Sequence, residues 1–420
     1  MNQIHVFTSA ACNYIPKTRM LFKSIRQYHP DWRIHLALAD EVPEGVSFLS
    51  EPFDEVHTLG ALDIPDYRAW AFCHSLVELA TAIKPFMLKK LLARDDCSGV
   101  VYLDPDIVVF SPLEEVLAAL EVADIALTPH QISPESTLGA IMDNEICSLK
   151  HGVYNLGFLA VSPSETGNAF AQWWSSRTYH FCRADIKNGL FTDQRWIDLV
   201  PAFFEGVCIL RSARLNVAPW NLTTRQLLGD MDGGFTINGD PLGFYHFTGF
   251  DSGDHQVMAG INGSDSSGLQ QLIDWYQRVT RTLENDSLSR QDWKYRTFDD
   301  GTPIPAGARV LYRERIDLQS AFSNPFLSSE KSYKNWYFSQ GKKEYPELFN
   351  NGMEAMAIDR LTSALSPGFQ SGVTGSISFP RAASKIIENL RDIGKLTNTI
   401  KYGIKILRTE GYAGISRRLQ

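Results

Sequence analysis

The chain has 420 residues, of which 44% are hydrophobic and 21% charged, a composition typical of an ordinary globular protein. Its 40 basic and 48 acidic side chains leave a formal net charge of -8, which argues against general nucleic-acid binding because that function needs a basic surface. The sequence has no apolar run of roughly 18 residues and no basic-then-apolar leader, so we expect a cytoplasmic protein. Six scattered cysteines without a C-x-x-C pair predict reduced thiols.

The first 130 residues alternate between strand and helix patterns. The predicted elements are strands at 4–9, 33–40, 55–59 and 99–103, and helices from Pro16 onward, at 68–82 and at 85–94. This alternation predicts an α/β fold with a mostly parallel, doubly wound sheet. Ligands of such sheets bind outside the carboxyl ends of the strands.

The rest of the chain is less regular. We predict a strand at 157–162, a helix at 166–179, a strand running into a glycine turn at 242–250, a loop at 251–266 and a helix at 269–283. A main domain is therefore expected over 1–285, followed by an accessory segment, 286–380, and a basic tail, 381–420. The tail has apolar residues at helical spacing, which suits either a helix lying on anionic lipid or a helix that packs on or links to another module.

Two carboxylates stand one residue apart in "LDPDIV", directly after the strand at 99–103. Buried like charges repel unless a partner compensates them. One interpretation is a turn with an N-cap. A second is the D-x-D-x-V motif of haloacid-dehalogenase phosphohydrolases, with Asp104 as nucleophile. A third is a pair of ligands, Asp104 and Asp106, for a divalent cation that grips a diphosphate.

Several motifs in order favour the third interpretation. They are "FTSAACNYIP" with Asn13 and Tyr14, Lys84, "LDPD", "YNLGFLAVS" with Asn155 and Gly157, "TDQRW" with Asp193 and Gln194, and "YHFTG" with His246 and Gly249. Together they resemble the family-eight-like retaining glycosyltransferases, over roughly residues 3–250. The resemblance implies a GT-A (Rossmann-like) nucleotide-diphospho-sugar transferase fold with a helical C-terminal extension. Its nucleotide-sugar half would span about 1–130 and its acceptor half 131–285.

The same resemblance implies the chemistry. Asp104, Asp106 and His246 would hold Mn²⁺ or Mg²⁺, and a UDP-hexose would be the donor. The donor would be bound by a larger set of residues: Thr8, Asn13, Tyr14, Lys84, Asp104 and Gly249. Asn155, Asp193 and Gln194 would lie against the transferred sugar, and transfer would retain the anomeric configuration. The expected acceptor is a saccharide or lipid-linked saccharide of bacterial surface polysaccharide synthesis.

The location and partners follow from that acceptor. A lipid-linked acceptor would bring the chain to the inner face of the plasma membrane. The tail, 381–420, would contact the membrane surface or a second glycosyltransferase module.

The sequence departs from the family pattern at two places. Ala11 and Cys12 stand where the family often has an acid that contacts the base. Ser252 stands where a lysine usually reaches the diphosphate, so Arg214, Arg225 or Lys84 would have to replace it.

Simpler explanations exist for single residues. His246 alone would suit a core histidine, Asn155 a turn, Asp193 a helix cap, and Trp220 either a sugar-stacking ring or a packed corner. Two rival functions also remain: the phosphohydrolase, whose second acidic motif would have to be "GDMDGG" (229–234), and a non-catalytic saccharide-binding protein.

Overall fold

The computed structural model describes residues 3–263 and 266–363. Contacts divide the chain into two units, Met1–Arg296 and Thr297–Gln420. The predicted tail, 381–420, lies outside the described residues, and so does the end of the accessory segment. Within the described ranges no helix is long and apolar enough to cross a membrane.

The strands of the first unit have two to eight residues each. Their bounds are β1 Gln3–Ala10, β2 Arg33–Leu38, β3 Glu55–Thr58, β4 Cys97–Leu103, β5 Ile107–Val109, β6 Ile125–Pro129, β7 Tyr154–Val161, β8 Ala184–Asp185, β9 Leu190–Phe191, β10 Val207–Ile209, β11 Leu227–Asp230, β12 Gly234–Ile237, β13 Asp240–Pro241 and β14 Phe244–His246.

In the described chain, seven strands form one sheet in the order β10-β6-β7-β4-β1-β2-β3. β7 runs antiparallel between β4 and β6, and the other neighbours are parallel. β1 leads to β2 and β3 on one side, whereas β4 lies on its other side, so the strand order reverses between β1 and β4. Such a reversal opens a crevice at the carboxyl ends of the two strands.

Helices occur in both units of the described chain. In the first unit they are α1 Ile15–Tyr28, α2 Tyr67–Phe72, α3 Leu76–Ala82, α4 Lys84–Leu92, α5 Glu114–Val122, α6 Leu138–Ala140, α7 Ile146–His151, α8 Glu165–Phe181, α9 Val200–Phe203, α10 Asp254–Asn262 and α11 Leu269–Leu283. In the second unit they are α12 Ala306–Glu314, α13 Ile316–Ala321, α14 Tyr333–Trp336, α15 Lys342–Glu344 and α16 Glu354–Ser363. The predicted α/β class, with a mostly parallel sheet and a helical C-terminal region, is confirmed.

Strand alternation sends different residues to the two faces of the sheet. Val6, Ile34 and Val101 belong to an apolar cluster that includes Phe22 of α1. Their sequence neighbours point to the opposite face because successive strand side chains alternate. On that face His5, His35 and Tyr102 are also buried, so this half of the core contains polar side chains beside apolar ones such as Phe7.

Three predicted elements differ from the structure. The predicted helix 68–82 is two helices, α2 and α3, separated where Ser75 and Glu78 form a capping box. The predicted loop 251–266 contains α10, which begins after Gly253 in a left-handed conformation. The predicted strand 242–250 keeps only Phe244–His246 as strand before its glycine turn.

The second unit has its own small core. Tyr312, Tyr333 and Tyr337 are fully buried, and the Tyr333 hydroxyl donates to the Ala308 carbonyl at 2.7 Å.

Candidate metal centre

Two acidic residues and one histidine meet at the carboxyl edge of the sheet. Asp104 directly follows β4, Asp106 precedes β5, and His246 is the last residue of β14. β5 pairs antiparallel with β14, which sets His246 opposite Ile107. His246 Nε2 lies 3.1 Å from Asp106 Oδ1 and 3.7 Å from Asp104 Oδ2. One potential ligand atom from each residue falls within 4.8 Å of the others.

A glycine makes this approach of the imidazole possible. A Cβ atom on Gly157 would lie 2.6 Å from His246 Cε1 and 2.7 Å from Asn155 Oδ1. The Gly157 carbonyl accepts from the Asp104 amide at 2.8 Å, which fixes β7 beside the acidic pair. Any larger residue at position 157 would therefore displace the histidine ring.

The donor set fits a divalent cation. Burial alone would lower the pKa of His246, but the carboxylates of Asp106 and Asp104 raise it above its usual value. Burial alone would raise the pKa of Asp106. The charge of His246 and its hydrogen bond lower the pKa of Asp106 by more than that, to below its usual range. Carboxylate oxygens with an imidazole nitrogen are a ligand set suited to Mn²⁺, and less strongly to Mg²⁺. His246 Nδ1 has no hydrogen-bond partner among the described residues.

Lys84 links the acidic pair to a third carboxylate. It is the first residue of α4, is 3% exposed, and its Nζ lies 3.2 Å from both Asp104 Oδ1 and Asp193 Oδ2. Burial lowers the pKa of Lys84, but Asp104 and Asp193 raise it further, to well above its usual value. The ammonium also lies 4.3 Å from the centre of the Tyr102 ring. Lys84 is therefore already engaged by the chain.

Asp193 does not cap a helix as one explanation held. It is 1% exposed and pairs with Lys84, and Thr192 before it has a left-handed φ of 46°. Burial raises the pKa of Asp193, and Lys84 opposes that shift. The strained turn at Thr192 aims this carboxylate inward instead of along the following 3₁₀ helix, Arg195–Leu199.

Asn155 and Gln194 form one amide network with His130. Gln194 Oε1 accepts from the Leu156 amide at 2.9 Å, and Gln194 Nε2 donates to the His151 carbonyl at 3.0 Å. Asn155 Oδ1 accepts from the Gly157 amide at 3.0 Å, and Asn155 Nδ2 faces His130 Nε2 at 3.2 Å. Both amides are thereby held beside the acidic pair in fixed orientations.

The predicted donor-binding residues of the N-terminal region lie around the first turn. Thr8 is fully buried in β1, and its hydroxyl has no partner among the described residues. Asn13 and Tyr14 are half-buried on the 3₁₀ turn Cys12–Tyr14. The Tyr14 hydroxyl donates to Asp251 at 3.3 Å, and burial together with the charge of Asp106 raises the pKa of Tyr14 well above its usual value.

Gly249 lies in the turn that follows β14. Its φ of 67° is a left-handed conformation that favours glycine. Ser252, which stands where a lysine was expected, donates to the Gly249 carbonyl at 3.1 Å.

Two suggested replacement cations are occupied elsewhere. Arg214 pairs with Glu115 at 3.1 Å, and its Nη2 donates to Ser111 Oγ at 2.7 Å. Arg225 is 1% exposed and donates to the carbonyls of Ala213 and Leu215. Lys84 alone of the three suggested residues contacts the acidic pair.

Other residues near the centre were missed or left undecided by the sequence patterns. His130 directly follows β6, so the rule that ligands bind at carboxyl strand ends would have found it. Its Nδ1 has no partner among the described residues, and burial lowers its pKa to about 4.

The Trp220 ring lies 5.5 Å from the His246 ring and 5.4 Å from that of His130, so Trp220 borders the site. Lys17 contacts Asp251 and was not singled out because no local motif marks it.

The motif "GDMDGG" is a hairpin turn. It joins β11 to β12, and Asp230 Oδ1 accepts from the Gly233 amide within the turn. Asp230 and Asp232 are exposed. This arrangement explains the two aspartates as turn residues.

Comparisons with known proteins give distant matches. No protein-family model matches the chain. It is 24% identical to the uncharacterised protein YfnD of Bacillus subtilis strain 168 over 257 residues, 60% of this chain and 79% of that protein. Among solved structures it is similar to the galactosyltransferase LgtC in complex with donor and acceptor sugar analogues, at 17% identity and a TM-score of 0.37, over 63% of this chain and 98% of that one. It is also similar to a glycosyltransferase involved in glycosylation of the major capsid of PBCV-1, at 10% identity and a TM-score of 0.35, over 62% and 99%. These likenesses are too distant to assign an activity.

Proposed function

We propose that the chain is a metal-dependent retaining glycosyltransferase that moves a hexose from a nucleotide-diphosphate sugar to a saccharide acceptor. The observation that supports this most is the convergence of Asp104, Asp106 and His246, from three separate strand ends, at the crevice beside β1. Two carboxylates and a histidine would hold Mn²⁺ or Mg²⁺ there. A bound ion would act as a Lewis acid on the diphosphate and offset the charge of the leaving group.

The chain's own residues would orient the donor. Thr8 lies in β1, and Asn13 and Tyr14 lie on the turn that follows its carboxyl end; we assign these residues to the nucleotide of a UDP-hexose. Gly249 would let the backbone of its turn approach the diphosphate, because no side chain intervenes there. Lys17, at the start of α1, is the nearby cation that we assign to the diphosphate in place of the lysine missing at position 252.

The transferred sugar would contact the buried amides and carboxylate. Asp193 would accept hydrogen bonds from sugar hydroxyls while Lys84 holds it in position. The Asn155 and Gln194 amides would lie against the sugar ring, since their other bonds fix them to β7. In the retaining reaction the acceptor hydroxyl would attack from the leaving-group side, and a donor phosphate oxygen would take its proton.

The acceptor and cellular location follow as part of the same proposal. We assign a lipid-linked saccharide of surface polysaccharide synthesis as acceptor. The enzyme would then work in the cytoplasm at the inner face of the plasma membrane. Its basic tail, 381–420, would contact the membrane or a second glycosyltransferase module.

The test is a calorimetric titration of the protein with Mn²⁺, followed by UDP-hexoses in the presence of Mn²⁺. We expect Asp106→Asn to weaken Mn²⁺ binding at least tenfold and to abolish metal-dependent donor binding. Asp232→Asn is the matched control, because it makes the same chemical change on an exposed hairpin turn. The proposal is wrong if Asp106→Asn binds Mn²⁺ as the unsubstituted chain does, or if sugar transfer continues undiminished in EDTA.

A further inference from the structure

A second group of metal-ligating side chains lies on the face of the sheet that carries Tyr102, on strands at the β3 edge. His5, His35 and His57 come from the three adjacent parallel strands β1, β2 and β3, together with Glu55 of β3. Residues two apart in a strand share a face, so Glu55 and His57 project to the same side. Glu55 is the registered partner of His35 on the neighbouring strand.

Three ligand atoms of this group form a compact triangle. His35 Nδ1 lies 3.2 Å from His57 Nε2 and 3.8 Å from Glu55 Oε2, and His57 Nε2 lies 3.5 Å from the same carboxylate oxygen. A point equidistant from the three atoms is roughly 2 Å from each of them, which is the bond length of Zn²⁺ to imidazole nitrogen and carboxylate oxygen. The three separations are also close to the roughly 3.3 Å between ligand atoms of a tetrahedral site with bonds of this length, so a small contraction of the triangle would let it form one face of such a site.

Both histidines are buried, which disfavours a charge on either ring. Burial, reinforced by neighbouring histidine and arginine charges, lowers the pKa of His35 to about 2. Burial likewise lowers the pKa of His57, although Glu55 opposes the shift. A neutral imidazole has a free lone pair, so an ion would not have to displace a proton from a charged ring.

The second ring nitrogen of His35, Nε2, faces His5, and His5 in turn faces Asp96. His35 Nε2 lies 2.9 Å from His5 Nδ1, and His5 Nε2 lies 3.3 Å from Asp96 Oδ1. If His35 binds an ion through Nδ1, its Nε2 carries the proton and donates a hydrogen bond to His5 Nδ1. His5 Nε2 then carries the other proton and lies within ion-pair distance of Asp96, although it makes no hydrogen bond among the described residues. Metal-binding histidines typically make such a relay to a carboxylate. No relay of this kind serves His246 in the described chain, because its Nδ1 has no partner there.

Access and charge limit which ion would bind. β3 is the edge strand of the sheet, and the Glu55 side chain is 27% exposed, so an ion can enter from solvent. Arg33 and Arg94 contact Glu55, and the Lys90 charge lowers the pKa of His57. These positive charges disfavour a hard ion held by charge alone. Two imidazoles with one carboxylate favour Zn²⁺ and chemically similar ions over Mg²⁺.

We propose that His35, His57 and Glu55 form a second metal site, for Zn²⁺ or a similar borderline ion, with His5 and Asp96 as its outer hydrogen-bonding partners. The ion would cross-link β2 to the edge strand β3 and leave a fourth position for water. This site is separate from Asp104, Asp106 and His246 and does not depend on the proposed transferase function.

The competing explanation is a chain of hydrogen bonds without metal. In that arrangement His57 Nε2 would donate to His35 Nδ1, and the relay would continue to Asp96. The two explanations differ in a measurable way, because only the first predicts stoichiometric binding of an ion at these residues.

The experiment is a titration of the full chain with Co²⁺ in excess Mg²⁺, followed by visible absorption. Four-coordinate Co²⁺ absorbs far more strongly than six-coordinate Co²⁺, and the excess Mg²⁺ would compete with Co²⁺ for Asp104, Asp106 and His246. We expect an intense visible band that saturates at one Co²⁺ per chain and is displaced by Zn²⁺. Zn²⁺ should also raise the melting temperature, since it binds only the folded state.

Substitutions test which residues bind the Co²⁺ ion that produces the visible band. Glu55→Gln and His57→Gln should each abolish the band and the Zn²⁺-dependent shift in melting temperature. Glu44→Gln is the matched control, an exposed glutamate in the preceding loop, and should keep both. Asp106→Asn should also keep both, because it alters only the first site.

The proposal is overturned if the unsubstituted chain gives no intense band. It is overturned equally if either Glu55→Gln or His57→Gln retains the full band at one equivalent. Melting curves of each variant without metal establish that the protein tested is folded.

Discussion

A single missing side chain, that of Gly157, decides whether the histidine can reach the acidic pair. We expect Gly157→Ala to weaken Mn²⁺ binding at least tenfold, because the new Cβ would overlap the His246 ring at 2.6 Å. Gly260→Ala is the control, since a Cβ there meets nothing within 4 Å and α10 should gain about 0.5–1 kcal/mol of stability. Calorimetric titration with Mn²⁺ and thermal unfolding measure the two effects. Equal Mn²⁺ affinity in Gly157→Ala would contradict the geometry.

Lys84 is the residue that makes the buried carboxylates compatible with each other. Lys84→Met should destabilise the metal-free protein by about 3–5 kcal/mol, because it leaves Asp193 and Asp104 without their buried partner. Adding Asp193→Asn should recover part of the loss, with a coupling energy of about 0.5–3 kcal/mol. Urea unfolding of the two single variants and the double variant measures this cycle. Strictly additive effects would mean that the ion pair contributes nothing.

His255 predicts a pH dependence of stability. It is fully buried, burial lowers its pKa to about 4, and its Nε2 faces the Tyr245 hydroxyl at 3.1 Å. Its pKa in the unfolded chain is about 6.5, so below that pH the unfolded state binds a proton that the folded state does not. The free energy of unfolding should therefore fall as the pH decreases from about 6.5 to 4, by at most about 3 kcal/mol from this residue.

The measurement for His255 is urea unfolding at several pH values in EDTA. His255→Gln should reduce the slope between pH 6.5 and 4, because glutamine does not titrate there. An unchanged slope would show that other groups cause the acid sensitivity.

At the scale of elements, α11 holds the segment that follows the metal-binding histidine. Its Tyr276 ring stacks on Phe247 with centroids 3.7 Å apart and an interplanar angle of 5°. Tyr276→Ala should destabilise the protein by about 3–5 kcal/mol through the cavity it creates, whereas Gln271→Ala on the exposed face should change stability little. Thermal and urea unfolding measure both. A loss under 1 kcal/mol for Tyr276→Ala would mean that the segment is anchored elsewhere.

Element positions could be predicted where periodicity was long and clear. The helix at 269–283 matches α11, and the predicted strands at 33–40 and 55–59 begin where β2 and β3 begin. The break between α2 and α3 is a local event, set by a capping box at Ser75 that hydrophobic spacing alone does not reveal. α10 was missed because its glycine-rich and serine-rich surroundings resemble a loop, although tertiary contacts make it helical.

At the scale of the whole molecule, the acidic pair was predicted to face a cleft because ligands of parallel sheets bind outside the carboxyl ends of the strands. This rule could not predict which distant strand would complete the site. The pairing of β14 with β5 brings His246 to Asp106, and that pairing depends on long-range packing. The sequence pattern also gave Lys84 a ligand-facing role, whereas its buried contacts with two carboxylates are a property of the assembled sheet and helix.

The division of the chain at Arg296 and Thr297 gives a final prediction. Every residue that we assign to the metal centre lies in the unit Met1–Arg296. A fragment of residues 1–296 should therefore unfold cooperatively and bind Mn²⁺ with an affinity within about twofold of that of the full chain, because its own core, including Val6 and Phe22, is complete. Calorimetric titration and thermal unfolding of fragment and full chain, side by side, test this. A fragment that unfolds without cooperativity, or that binds Mn²⁺ tenfold more weakly, would show that residues beyond 296 are needed to assemble the site.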